Sequence, residues 1–460
     1  MKTMKIAMMV LATMISFGCS HHAEANDGEF IEKGLLYEIL DDGTVAVGKV
    51  SDKSKPKGKL VIPDKVTHDG KTYVVSTINS WGFFGCDKIT SVVLPASVTN
   101  VDIWAFTGCN GLKEFTFPPT VTRIGYCVLE SCENLERVTL SPNITTIEDR
   151  LLKDCKKLQQ VDLPSGITSI GNSSFSGMTI KSLTIPEGVT SIAPYAFAYN
   201  EQLEEIVLPS SLRTIGGEAF TCCKALKTVT LPEGVTELGS NVFSYCSSLE
   251  QVSLPASLVS IEGNVFSSCP AMKSYEVSPS STHFAVYDNL LYSADMSELI
   301  ACPMSHAVGD FVVPKQVKKI SEYAFYNNQG ITSLTMTGVE YIGESAFNDC
   351  HQLARIDLGT KLKTLSKFTF YNLNKIETVT LPWSLEEVPM CLFDFCRNLK
   401  MVTVPKHMLD DEMKFNNNAF QFCPDDLKFK IVDANGKQVK MLNYDELPDV
   451  QKYMFRDEVY

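Results

Sequence analysis

Cysteine carries the most evident chemistry in this chain, which contains fifteen of them. A thiolate can act as a nucleophile, a metal ligand or half of a disulfide. Spacing assigns most of these residues another task. Cys86, Cys109, Cys132, Cys155, Cys223, Cys246, Cys269, Cys350, Cys396 and Cys423 each stand three residues after an aromatic residue or a leucine. Met178, Asn200, Asn328 and Leu373 fill the same slot elsewhere. A slot open to Met and Leu reads as apolar and inward, where Cys behaves as a small hydrophobe. Stacked copies would bring these Cα atoms to about 5 Å, inside the disulfide range. Parallel side chains pointing the same way argue for free thiols instead. Cys222, Cys127 and Cys391 lie outside the slot with no evident partner. No paired Cys-x-x-Cys and no Cys/His cluster offers a metal site, so no cofactor is expected.

Other reactive types are scattered. His21, His22, His68, His283, His306, His351 and His407 share no spacing and read as surface residues. Carboxylate pairs such as Glu204-Glu205 and Glu386-Glu387 recur without a defined cleft and read as solvated faces. Nucleophile-elbow, metalloprotease and phosphate-loop patterns are missing from suitable contexts. A catalytic site needs several groups within hydrogen-bond reach, and none is expected here.

The slots belong to a repeat. Leu226, Val229, Leu231, Val235, Leu238, Phe243 and Cys246 recur one period later as Leu249, Val252, Leu254, Leu258, Ile261, Phe266 and Cys269. The period is about 23 residues, and a unit that short cannot bury its own apolar face and must stack on copies of itself. Aromatic or leucine markers at Phe83, Phe106, Leu129, Leu152, Phe175, Phe197, Phe220, Phe243 and Phe266 keep the same beat. Five more follow at Phe325, Phe347, Phe370, Phe393 and Phe420. Leu-x-x-Val-x-Leu alternates like a strand, and the following proline ends it because it lacks a ladder N–H. Val-Thr-x-Ile reads as a second short strand, and Ala-Phe-x-x-Cys as a tight turn or a single helical turn.

Pro-Glu-Gly-Val-Thr-Ser-Ile-Ala-Pro-Tyr-Ala-Phe at 186–197 and Leu-Pro-Ser-Ser-Leu-Arg-Thr-Ile-Gly-Gly-Glu-Ala-Phe at 208–220 resemble the BspA-type leucine-rich repeat family. The likeness extends over most of 76–423. It implies a β-rich solenoid: a leucine-rich repeat array of about 14 turns with short parallel strands, terminal caps and one inserted β-hairpin island. At roughly 4.8 Å per turn the body would be about 65–70 Å long. The resemblance further implies an exported surface protein of the adhesion type.

The expected order is a signal peptide at 1–25 and an N-terminal β cap at 26–75, with a hairpin around Asp41-Asp42-Gly43. The first part of the array covers 76–269, the island 270–313 and the second part 314–423. A C-terminal cap at 424–460 completes the chain. Lys2 and Lys5 precede an apolar run at 6–17 that is too short to span a bilayer. Ser16-Phe17-Gly18-Cys19 resembles a lipobox, making Cys19 a lipidation candidate, with Phe17 departing from its small residue. Ala23-Glu24-Ala25 is a competing cleavage site. The chain would then be an outer-membrane or cell-surface lipoprotein, or otherwise secreted or periplasmic.

In this family the residues between inward strand positions face the concave side. That predicts a binding column of Thr139, Asp162, Thr184, Thr230, Ser253, Thr335, Asp357 and Thr380. Threonine is also simply favoured on strand surfaces. No aromatic run appears in the column. The net charge of −13 disfavours nucleic acid and anionic lipid surfaces, leaving a lipid anchor as the only expected membrane contact. The expected activity is non-enzymatic adhesion to extracellular or host matrix proteins. The alternative is glycan capture for an envelope uptake system.

Overall fold

A computed structural model describes residues 28–447 except 264, 307–308 and 411–413. The apolar run at 6–17, Cys19, His21, His22 and the end of the C-terminal segment lie outside the described residues. The chain winds as a β-solenoid of about fifteen turns. Each turn contributes a three- to five-residue strand, such as Thr228–Thr230, and a two-residue strand, such as Glu237–Leu238. Both pair in parallel with the equivalent strands of neighbouring turns.

The repeat explains this winding. Val229 points inward while Thr228 and Thr230 point out, and Pro232 then stops the strand. A turn this short cannot satisfy its own amides. Leu231 N–H donates to the Ser253 carbonyl (3.0 Å), Gly239 N–H to Ile215 (3.0 Å) and Phe243 N–H to Val265 (2.9 Å). Hydrogen bonds therefore run from turn to turn all round the section. The Ala-Phe-x-x-Cys corner is a pair of tight turns, and only the last becomes 3₁₀-helical, at Asn417–Phe420.

Phenylalanine forms the spine of the interior. Phe175, Phe197, Phe220, Phe243 and Phe266 stack with centroids 5.3–6.1 Å apart and nearly parallel rings. Phe325, Phe347, Phe370, Phe393 and Phe420 form a second stack at 4.9–5.7 Å. Between the two stacks lies the inserted hairpin, Phe284–Tyr287 with Leu290–Ser293. Leu290, Leu291 and Tyr292 are all buried, so its second strand is covered on both faces. Glu298–Ala301 then pairs in parallel with Lys319–Ile320 and rejoins the array.

The ends are covered by antiparallel strands. At the front, Glu29–Glu32, Leu35–Ile39 and Val45–Lys49 form a meander. Its turn is set by Asp42 Oδ1, which accepts from Thr44 N–H at 2.9 Å. Val45–Lys49 already pairs in parallel with Lys71–Ile78, and Gly58–Val61 with Ile89–Val93. At the back, Lys428–Val432 continues the parallel sheet and Gln438–Asn443 closes it antiparallel. That last strand is mostly exposed and carries Lys440, a charged edge that discourages further pairing.

Candidate functional site

The strand face brings the predicted column together in blocks. Thr139 stands between Thr116 and Asp162, and Thr184 beside Val207. Thr230, Ser253 and Glu276 form a third row. Thr335 sits between Val312 and Asp357, and Thr380 beside Thr403. All eight predicted residues are exposed or half-buried. Much of this polar surface is already engaged across turns. Arg137 pairs with Glu114 at 3.5 Å, and Arg355 reaches Asp310 at 3.2 Å. Ser253 Oγ donates to Glu276 at 2.7 Å. Ion pairs this exposed contribute about 0–1 kcal/mol each.

At one place the face becomes concave. A groove of about 570 Å³ runs over three turns, lined by Thr230, Ser253 and Glu276 together with Glu233 and the strand-ending Pro232 and Pro255. Thr230 and Ser253 are the predicted residues that line it.

Most of the thiols are buried along the interior. Cys246 Sγ–H donates to the Phe220 carbonyl at 3.2 Å. Cys109, Cys132, Cys155, Cys223 and Cys269 repeat the contact at 3.1–3.2 Å. Burial pushes these thiols well above their ordinary range, Cys269 to about 12. The slot is therefore not purely apolar, which corrects the sequence reading. It offers a carbonyl to a weak donor, and buried Asn328 uses the same position to donate to the Pro303 carbonyl at 3.1 Å. Cys127 and Cys391 are explained as a matched pair. Each occupies a left-handed corner position two residues before the marker, at φ 58° and 56°. Burial, then the carboxylates of Glu130 and Asp394, push each thiol up to about 12.

The histidines also depart from expectation. His283 is exposed, but His68, His306, His351 and His407 are half-buried. His68 stacks on Phe30 at 4.2 Å, and His407 meets Trp383 at 4.5 Å. They remain in separate turns. Among the described residues no group of three or more His, Cys, Asp or Glu side chains could hold a metal ion. No helix among them is long and apolar enough to cross a membrane.

The corner edge was missed by sequence reasoning. Most corners hold two residues at positive φ, two before and two after the marker. Many are aromatic rather than glycine: Trp81, Trp104, Tyr195, Tyr199, Tyr245 and Phe422 among them. Trp81 and Trp104 meet at 4.4 Å with their rings tilted by 31°, and Phe395 and Phe422 stack at 4.4 Å. Tyr245 is 54% and Phe422 66% exposed. Left-handed backbone costs a non-glycine residue roughly 1–2 kcal/mol. The available signal was large aromatics recurring at fixed offsets from a buried phenylalanine.

A family model described as a BspA type leucine-rich repeat region matches residues 76–203, 190–304 and 301–428. No curated protein matches the sequence. Among solved structures, a leucine-rich repeat protein from Bacteroides ovatus is similar at 26% identity, covering 88% of this chain and 99% of that one, with a TM-score of 0.52. A leucine-rich cell surface protein from Faecalibacterium prausnitzii shares the fold at 22% identity, covering 88% and 94%, with a TM-score of 0.50.

Proposed function

This chain belongs to the BspA-type leucine-rich repeat family, and on that footing we propose that it is a non-enzymatic, cell-surface protein-binding module of the adhesion type. The groove over Thr230, Ser253 and Glu276 carries the reading. It is shallow, spans several turns and is floored by strands, which suits an extended polypeptide of a matrix or cell-surface protein. Glu233 and Glu276 favour a partner segment with basic residues. The repeat array of this family is typically a non-enzymatic interaction scaffold, which supports the reading. Display outside the cell accords with the name of the Faecalibacterium relative. Attachment through Cys19 belongs to the same proposal, and mass spectrometry of the native N-terminus tests it.

The binding test uses surface plasmon resonance against immobilised collagen, fibronectin, laminin and fibrinogen. Saturable binding to one of them is expected, weakened at least tenfold by the double substitution Thr230→Arg, Ser253→Arg. Binding that ignores the substitutions, or no binding across the panel, overturns the proposal.

A further inference from the structure

The corner edge is interrupted beside the inserted hairpin. Ten residues separate Leu299 from Asp310, where twelve separate Ile261 from Ser274, which hold the equivalent places in the strand register. A cleft of about 380 Å³ lies between the corner that carries Tyr245 and the one that carries Tyr323. That volume lies within the range of small-ligand sites. Exposed Tyr245 forms one wall. Tyr323 and Tyr326 form the other, half-buried, with rings 5.8 Å apart at 67°.

The space between them is lined by hydroxyls, an amide and carboxylates. Ser267 Oγ donates to Ser244 Oγ at 3.1 Å, and Ser244 Oγ to Asn241 Oδ1 at 3.3 Å. Glu322 and Glu218 complete the lining. Tyr195 donates its phenol proton to Glu218 at 2.5 Å, so one carboxylate is partly engaged already.

These groups select by chemistry. With two glutamates and no lysine or arginine in the lining, anions are repelled. A purely apolar ligand would strip water from the Glu322 carboxylate and the Asn241 amide, at about 1–3 kcal/mol for each polar group so stranded. A cation cage would need free carboxylates, and Tyr195 occupies one. What remains is a neutral molecule with many hydroxyls and flat C–H faces. Tyrosine serves both needs, with an apolar ring and a polar tip. Burial first, then nearby acidic groups, pushes the Tyr323 and Tyr326 phenols up, which keeps them as proton donors.

We propose that this cleft is a binding site for a neutral oligosaccharide, with the Tyr245 and Tyr323 rings against sugar C–H faces and Asn241 and Glu322 receiving sugar hydroxyls. The site is separate from the strand-face groove, so either can fail without the other.

Native affinity electrophoresis of the full chain tests it, in gels containing starch, laminarin, glucomannan, arabinoxylan or inulin. Retardation in at least one gel is expected. Tyr245→Ala and Tyr323→Ala should each weaken it at least tenfold, while Thr230→Arg, Ser253→Arg leaves it unchanged. A thermal melt identifies any variant that fails to fold, and exposed Tyr245 then supplies the deciding substitution. No retardation in any neutral gel overturns the proposal, as does retardation that survives substitution of Tyr245. Tyr245-dependent binding of heparin or polylysine, without binding of any neutral glycan, also overturns it.

Discussion

On the strand face each rung presents two outward residues on ordinary extended backbone, and small polar side chains fill most of those positions. On the corner edge most turns present two residues at positive φ, and Trp, Tyr and Phe fill several of those positions. Both surfaces are built from the same turn and stack with the same period. The strand face resolves into side chains that pair with their own neighbours, as Ser333 and Arg355 do with Asp310. The corner holds large rings outward from backbone that disfavours them. Strain kept at recurring positions points to a task for those side chains. The difference teaches that in a solenoid, exposure alone does not mark a binding surface. The costly positions are the informative ones.

The largest effect that would sharpen this contrast comes from pH. From Glu114 to Thr380 the two outward strand columns carry no thiol or phenol, whereas the corners are backed by the buried thiol ladder. Below about pH 8.5 those thiols are protonated in folded and unfolded chains alike, and their stabilisation is fully present. Above it the unfolded chain ionises and the folded chain does not, so stability falls as pH rises towards the folded values, about 12 for Cys269 and Cys423. Each thiol contributes a loss of about 1.4 kcal/mol per pH unit. Urea midpoints under reducing conditions should drop sharply between pH 8 and 9.5. Cys246→Ala with Cys269→Ala should flatten that slope; a midpoint indifferent to pH would contradict the ladder.

Next in size is a comparison within one corner. Phe243, stacked between Phe220 and Phe266, should cost about 3–5 kcal/mol when changed to Ala. Tyr245, two residues on and exposed, should cost less than about 1 kcal/mol. Urea unfolding of the two variants measures both, and equal losses would mean that Tyr245 is structural. The smallest effect is a gain. Cys222 has φ 60°, in a position that Gly85, Gly108 and Gly177 fill in other turns. Cys222→Gly relieves roughly 1–2 kcal/mol of backbone strain against roughly 0.5–1 kcal/mol of added chain entropy. A net rise of about 0.5–1 kcal/mol in unfolding free energy is expected, and a fall would show that the thiol makes an unrecognised contact.

Much of this could be read from the chain before any coordinates. The spacing of Phe220, Phe243 and Phe266 located the interior stack, and Thr228-Val229-Thr230 located a strand and its two outward residues. Asp41-Asp42-Gly43 marked its hairpin. The thiol slot was located but misjudged, because Met178 and Leu373 conceal the carbonyl that Asn328 and the cysteines use. The grouping of Cys127 with Glu130, and of Cys391 with Asp394, could not be read as deliberate until both pairs fell on equivalent corners.

The sequence by itself determined the period, the inward residues and the parallel stacking, because so short a unit can bury its apolar side chains only against copies of itself. Tertiary structure decided which outward residues meet. The groove at Ser253 draws its lining from three adjoining turns. The cleft at Tyr245 and Tyr323 joins two corners that lie on opposite sides of the inserted hairpin in the chain. Periodicity fixes what repeats; a contact made where the repeat is interrupted exists only once the chain has wound past the interruption.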